Sequence, residues 1–318
     1  MTRRTLPLVR WGILLAAAGW LWLHLAGAES THRLWGDLRS SMRGTSSWFW
    51  PLMVALSVLN WGLEAVKWRW LMAGLEPMRL TKAFAATLAG TSMGLFTPNR
   101  TGEYVGRVLF LAPDNRWPGG FATLLGSLAQ LLATVLIGVC ALLWWRSGPG
   151  HGGMPWGEGA LLALVALVGM AALALFLRPV LLGRLVRAVP LLRRTAASAQ
   201  VLERFTTADR LAVLGMSLAR YAVFWLQYVL CLSVLAGIGW QGALVAVPVI
   251  YLVVTLLPTM ALSEMGVRGS VAVALLAPQY ATPGPVLLAS FGVWAVNLAV
   301  PALAGLLILQ RARIRTRT

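Results

Sequence analysis

Hydrophobic runs of about 20 residues recur along the whole chain, separated by short polar stretches. That is the length a helix rising about 1.5 Å per residue needs to cross a bilayer core. The pattern predicts spans over Trp11–Ala28 and near 48–70, 119–145, 159–177, 211–236 and 286–309. Two further apolar segments, 83–111 and 243–278, do not fit it. The first is interrupted by Thr97-Pro98-Asn99-Arg100-Thr101-Gly102 and the second by Pro258–Ser263. Pieces of about 15 residues are too short to cross, so each segment predicts a re-entrant helical hairpin. The fold class expected is an all-α polytopic membrane protein of about six transmembrane helices and two re-entrant hairpins, one domain over residues 1–318.

The basic residues orient this pattern. Lys67, Arg69, Arg79 and Lys82 flank the second span and Arg116 follows the first hairpin. Residues 178–210 hold Arg178, Arg184, Arg187, Arg193, Arg194, Arg204 and Arg210, and the tail holds Arg311, Arg313, Arg315 and Arg317. By the positive-inside rule these stretches are cytoplasmic, and 178–210 reads as an amphipathic helix on the membrane surface. The loop Ser147–Gly159 and the stretch Gly237–Gly242 carry almost no basic charge and read as external. The first hairpin then enters from inside and the second from outside, an inverted repeat of the kind many transporters use. Both termini are expected in the cytoplasm, with the chain in a bacterial inner membrane.

Three details complete the pattern. The run 11–28 reads either as a signal peptide, from its Ala26-Gly27-Ala28, or as a first helix, which Trp11, Trp20 and Trp22 favour as interface anchors. The external loop 29–47 carries Arg33, Arg39 and Arg43 against the rule; Glu29 and Asp37 beside them suggest a surface-lying segment. Near the end of the second span Glu64 and Lys67, spaced i,i+3 on a helix, can pair, and Trp68 and Trp70 beside them suit an interfacial girdle.

Composition agrees: 58% of residues are hydrophobic and 12% charged, which leaves no stretch for a separate soluble domain. The net charge of +17 sits in loops and termini, so it argues for membrane topology and against nucleic acid. Cys140 and Cys231 lie in apolar runs without metal spacing, and His24, His32 and His151 form no ligand set. No Walker A motif is present, so direct ATP use is not expected, and no cofactor is implied.

The two interrupted segments carry matched chemistry. Gly90–Pro113 reads GTSMGLFTPNRTGEYVGRVLFLAP and Thr255–Pro278 reads TLLPTMALSEMGVRGSVAVALLAP. Each has a proline (Pro98, Pro258), then a glutamate (Glu103, Glu264), then an arginine four residues later (Arg107, Arg268), and each ends in Leu-Ala-Pro. A charge inside hydrocarbon costs roughly 2.5–3.5 kcal/mol on insertion scales, so these residues are functional candidates. Each Glu–Arg pair shares a helical face and either neutralises itself or lines a path for a charged headgroup. Non-helical tips at Pro98–Gly102 and Pro258–Ser263 require a polar cavity. There Arg100, with Asn99 and Tyr104, and the N-terminus of the returning half-helix favour an anion. Gln130, Gln227, Tyr228, Tyr251 and Asn297 are further polar residues within spans, candidates for the cavity wall or for helix–helix hydrogen bonds.

The run Leu88–Leu111, LAGTSMGLFTPNRTGEYVGRVLFL, resembles the glycine-rich Pro-x-Arg-x-Gly-Glu-x3-Arg motif of the lysylphosphatidylglycerol synthase transmembrane family. Glu64–Gly74, EAVKWRWLMAG, resembles the segment that precedes it, and Ser263–Arg268 is similar to the family's second motif. The resemblance implies a flippase-like domain that handles or translocates lipid. In multidomain relatives a soluble aminoacyl-transferase domain follows and makes the aminoacyl lipid, so no enzymatic activity is expected of this chain. The substrate expected is an anionic or zwitterionic lipid or a lipid-linked sugar. The alternatives are a membrane scaffold for a lipid-synthesis enzyme partner, and a headgroup-modifying membrane enzyme.

Overall fold

Apart from Gly36, the computed structural model describes residues 44–95, 97–147, 158–257, 261–276 and 283–311. These residues form helices and turns, with no strand among them. The expected span 11–28, the loop arginines 33, 39 and 43, Pro258, His151 and the end of the basic tail lie outside the described residues.

Among the described residues three helices are long and apolar enough to cross a membrane unbroken: α1 (Phe49–Met72), α4 (Arg116–Ser147) and α7 (Thr207–Ala236). A fourth span is made by α10 (Pro283–Trp294) and α11 (Val300–Arg311), joined by a π-helical turn at Ala295–Ala299. A fifth is α5 (Glu158–Leu177), followed after a bend of 109° by α6 (Val180–Ala188). The chain is thus a multi-pass membrane protein. Local signals explain the boundaries. Thr206 and Asp209 form a capping box that starts α7, and Gly237 at φ 64° stops it in the left-handed conformation that glycine tolerates.

Segment 83–111 forms α2 (Leu80–Leu95), a 3-10 turn at Pro98–Arg100 and α3 (Gly102–Val108). The second arm is short: α3 has 7 residues, and a turn and second 3-10 stretch at Pro113–Asn115 carry the chain on to α4. Segment 243–278 forms α8 (Trp240–Leu256) and α9 (Ala261–Leu276). The expected amphipathic helix over 178–210 is also shorter. It is α6 followed by 3-10 stretches at Pro190–Thr195 and Ser198–Arg204, because Pro190 cannot continue the α-helical ladder.

Glycines set the packing of α2. A Cβ on Gly106 would lie 2.7 Å from Gly90 Cα, and one on Gly305 would lie 2.0 Å from the Leu88 carbonyl oxygen. Those backbones touch, so α3 and α11 both lie flush on α2. Residue 302 sits opposite 92 and residue 305 opposite 88, so α11 runs antiparallel to α2. Arg311 therefore lies at the end of the bundle where α2 begins beside Arg79.

Two hydrophobic cores fill the two ends. One gathers Phe49, Leu142, Leu235, Ile238 and Val286, where charge is scarce. The other gathers Trp68, Met72, Leu111, Phe176, Leu202 and Val213, ringed by the arginines of 178–210. Trp68, expected in the girdle, is fully buried here and donates its indole N–H to Thr123 Oγ1 at 3.0 Å. Between the cores α1 presents Ser57, Asn60, Trp61 and Glu64, and α7 presents Ser217, Arg220, Tyr221 and Phe224. A polar layer thus crosses the middle of an apolar bundle.

Helix contacts repeat across the two halves. The order long helix, interrupted pair, long helix occurs as α1, α2–α3, α4 and again as α7, α8–α9, α10–α11. The first arm of each pair packs against the closing helix of the other half, α2 on α11 and α8 on α4. The pairs start from opposite ends, α2 from the basic end and α8 from the charge-poor end beside Ile238, and the turn at Pro98–Arg100 touches α9.

Candidate functional site

Glu64, on α1, is the centre of the polar layer. Its carboxylate accepts from Arg107 at 2.6 Å and from Lys67 at 2.8 Å, and Arg220 stands 3.4 Å away. Arg107 arrives from α3, its stem passing over Gly90, where a Cβ would meet its Cγ at 2.7 Å. Lys67 Nζ also donates to Ser217 Oγ at 3.2 Å and to the Gly126 carbonyl at 3.4 Å. Arg220 donates to Gln130 Oε1 at 3.2 Å and lies over the Trp61 ring at 5.2 Å. One carboxylate ties together three helices, α1, α3 and α7, and its cations reach a fourth, α4.

The turn at Pro98–Arg100 is the second component. Asn99 and Arg100 both take positive φ, 47° and 56°. Left-handed backbone at a non-glycine residue costs on the order of 1–3 kcal/mol and persists only where its surroundings impose it. Here Thr97 Oγ1 accepts from the Gly102 N–H at 2.6 Å, and Gly102 sits where a Cβ would strike the Met93 carbonyl oxygen at 2.3 Å. The result aims Arg100 back at Glu103, Nε to Oε1 2.7 Å. Glu103 also faces Arg107 at 3.4 Å. The sequence pairing of Glu103 with Arg107 is therefore the weaker contact of each: Arg107 is nearer Glu64, and Glu103 is nearer Arg100. The expected helix-dipole contribution of α3 is small, since a helix of 7 residues carries little of one. The positive charge at this site comes from side chains.

The third component is α9, where Arg268 pairs with Glu264 one turn away and lies over the Tyr251 ring at 5.2 Å. This pair stays local, as the i,i+4 spacing predicts.

These groups line two adjoining cavities. The larger, about 480 Å³, is bounded by Glu64, Lys67, Asn99, Arg100, Glu103, Tyr104, Arg107, Arg220 and Glu264, among others. The smaller, about 210 Å³, shares Arg100, Gln130, Arg220 and Glu264 with it and adds Asn60, Tyr251, Arg268 and Asn297. Of the sequence candidates, Asn99, Arg100, Glu103, Tyr104, Arg107, Glu264 and Arg268 meet here, although the two motifs lie far apart in the chain. Pro98 and Gly102 form the turn above them, and Pro258 lies outside the described residues. Gln227 and Tyr228 line neither cavity: Gln227 donates to the Met53 carbonyl at 3.1 Å, and Tyr228 bonds to Ser290.

The comparisons with known proteins bear on this site. The sequence profile of the Lysylphosphatidylglycerol synthase TM region matches residues 9–305. The chain belongs to that family. A search of curated proteins gives no match. Membership supports a membrane role connected with lipid, and the matched range includes every residue of the two cavities.

The sequence alone did not single out Arg220; it paired Lys67 with Glu64 through their i,i+3 spacing, as found at 2.8 Å, but read Lys67 as a charge of the cytoplasmic end rather than a buried one. Arg220 has a usable signal, a lone arginine in the apolar interior of a 30-residue span. The burial of Lys67 had none, because its position near a span end matches any interfacial lysine. Only the fold of Gly126 against it shows it buried.

Proposed function

We propose that this protein moves a lipid with a negatively charged headgroup between the leaflets of the membrane. The observation that carries the reading is the charge of the two cavities. Their walls hold Lys67, Arg100, Arg107, Arg220 and Arg268 against Glu64, Glu103 and Glu264, two more cations than carboxylates. A surplus of cations in a low-dielectric site favours an anion strongly. A phosphate fits arginine's forked donors.

The interrupted helix pairs support the transport part. Arms of 16 and 17 residues reach about 25 Å, short of a bilayer core of about 30 Å, which favours re-entrant hairpins. Entry from opposite ends makes them the two halves of an inverted repeat, a design in which one half rocks against the other around a fixed site. The reading is of a transporter rather than an enzyme, because every carboxylate in the cavities is already engaged by a cation. By the positive-inside rule we read the basic end as cytoplasmic, and the membrane as a bacterial inner membrane.

The test is a leaflet-resolved transport assay in proteoliposomes with Glu103→Gln, Arg107→Met and Arg220→Gln, and thermal stability measured alongside. Folded variants that lose transport of an anionic lipid support the reading. Full transport by folded Arg107→Met and Arg220→Gln together overturns it.

A further inference from the structure

The smaller cavity has a wall that the charge network does not use. Asn60 on α1 is 2% exposed and donates its amide to Asn297 Oδ1 at 2.9 Å. Asn297 lies in the π-helical turn, whose loosened backbone lets the Trp61 indole N–H reach its carbonyl at 3.0 Å and Ser57 reach the Val296 carbonyl at 2.9 Å. π-Turns inside α-helices recur at functional sites. The contact consumes half of each amide: Asn60 Oδ1, an acceptor, and Asn297 Nδ2, a donor, remain buried without a partner. Around them stand Trp61, Trp294, Phe224 and Tyr251. A buried unmatched amide costs about 1–3 kcal/mol, so native proteins supply water or a ligand to such groups.

A neutral acceptor and donor side by side, set among aromatic rings, do not suit a second charge. They suit hydroxyl groups, which both donate and accept, on a carbon frame that packs against rings. We infer that the Asn60–Asn297 wall of this chamber, where Arg268 is already held by Glu264, receives an uncharged, hydroxyl-bearing part of the headgroup, a sugar or cyclitol, while Arg100 and Arg220, shared with the larger chamber, hold the phosphate that links it to the lipid. The inference rests on the reading of an anionic lipid substrate and specifies the rest of its headgroup. The shared wall of Arg100, Gln130 and Arg220 puts the two parts in adjoining spaces, as one phosphodiester bond requires.

The experiment compares two probes with the same dioctanoyl tail and the same single charge, phosphatidylinositol and phosphatidylethanol, binding to the detergent-solubilised full chain. The wild type is expected to bind the inositol lipid about tenfold tighter, the effect of two neutral hydrogen bonds less the cost of ordering the ring. Asn60→Leu and Asn297→Leu are expected to lose that preference and keep phosphatidylethanol affinity, which also reports an intact fold. Equal affinity of the wild type for both probes means the chamber holds water alone and overturns the inference. A preference that survives in a folded leucine variant overturns it too. If a leucine variant does not fold, the wild-type comparison decides by itself. Binding of neither probe is a different outcome: it removes the anionic-lipid reading, and the inference with it.

Discussion

At the scale of single residues, Glu64 is the group whose loss does most. Removing one member of a buried ion pair strands its partner, at about 3–5 kcal/mol. Glu64 serves Lys67, Arg107 and Arg220 together. Glu64→Gln is therefore expected to lower the thermal midpoint of the purified protein far more than Arg107→Met, which leaves Glu64 two cations. An equal or smaller drop for Glu64→Gln would show the network to be incidental. Arg100 invites the opposite substitution. Glycine accepts its φ of 56° without strain, so Arg100→Gly should keep or raise stability and reduce anionic-lipid transport. Unimpaired transport would remove Arg100 from the substrate path.

At the scale of elements, glycine contacts decide whether the first helix pair closes. Gly106→Ala places a Cβ against the backbone of Gly90, which cannot give way as a side chain could, and overpacking of this kind costs about 1–3 kcal/mol. Gly215→Ala on α7 meets nothing within 4 Å and should be neutral or slightly stabilising. Thermal melts of the two variants side by side check this, and equal effects would mean α3 does not lie flush on α2. The connection after α1 adds a pH term. Partial burial alone would raise the Glu76 carboxyl. The Ala112 N–H at 2.8 Å, Lys82 at 3.0 Å and Asn115 at 3.3 Å outweigh it and hold the group below its ordinary 4.5. A carboxylate depressed on folding contributes stability that is present above 4.5 and is lost as pH falls below it. Melts between neutral pH and about 3 should therefore fall less steeply in Glu76→Gln, and parallel curves would remove the contribution.

At the scale of the whole molecule, charge is distributed end to end. The ends of α1 and α5 and the starts of α2, α4 and α7 gather with Arg69, Arg79, Arg116, Arg178 and Arg204 at one end, and Arg204 donates to the Leu71 carbonyl there at 3.3 Å. Such asymmetry sets orientation. With the native cysteines replaced, a cysteine at Arg184 should label only from the cytoplasmic side and one at Gly239 only from outside. The reverse pattern would invert the topology.

The sequence by itself determined the membrane class, the positions of the spans among the described residues and the two interrupted segments. These depend on local quantities: apolar run length, proline and the placement of arginine. It also placed the Glu264–Arg268 pair correctly, because i,i+4 spacing on one helix is fixed by helical geometry alone. What the tertiary structure decided is which charges share a partner. Glu103 and Arg107 have the same spacing, yet each turns to something nearer, since α1 brings Glu64 to one and a left-handed turn brings Arg100 to the other. Arg220, the burial of Lys67 against Ser217 and the Asn60–Asn297 contact were equally beyond local reading, because each depends on a helix distant in sequence. In an apolar interior a charge takes whichever opposite charge the packing brings closest, and packing is set by the glycine contacts of α2 rather than by spacing along the chain.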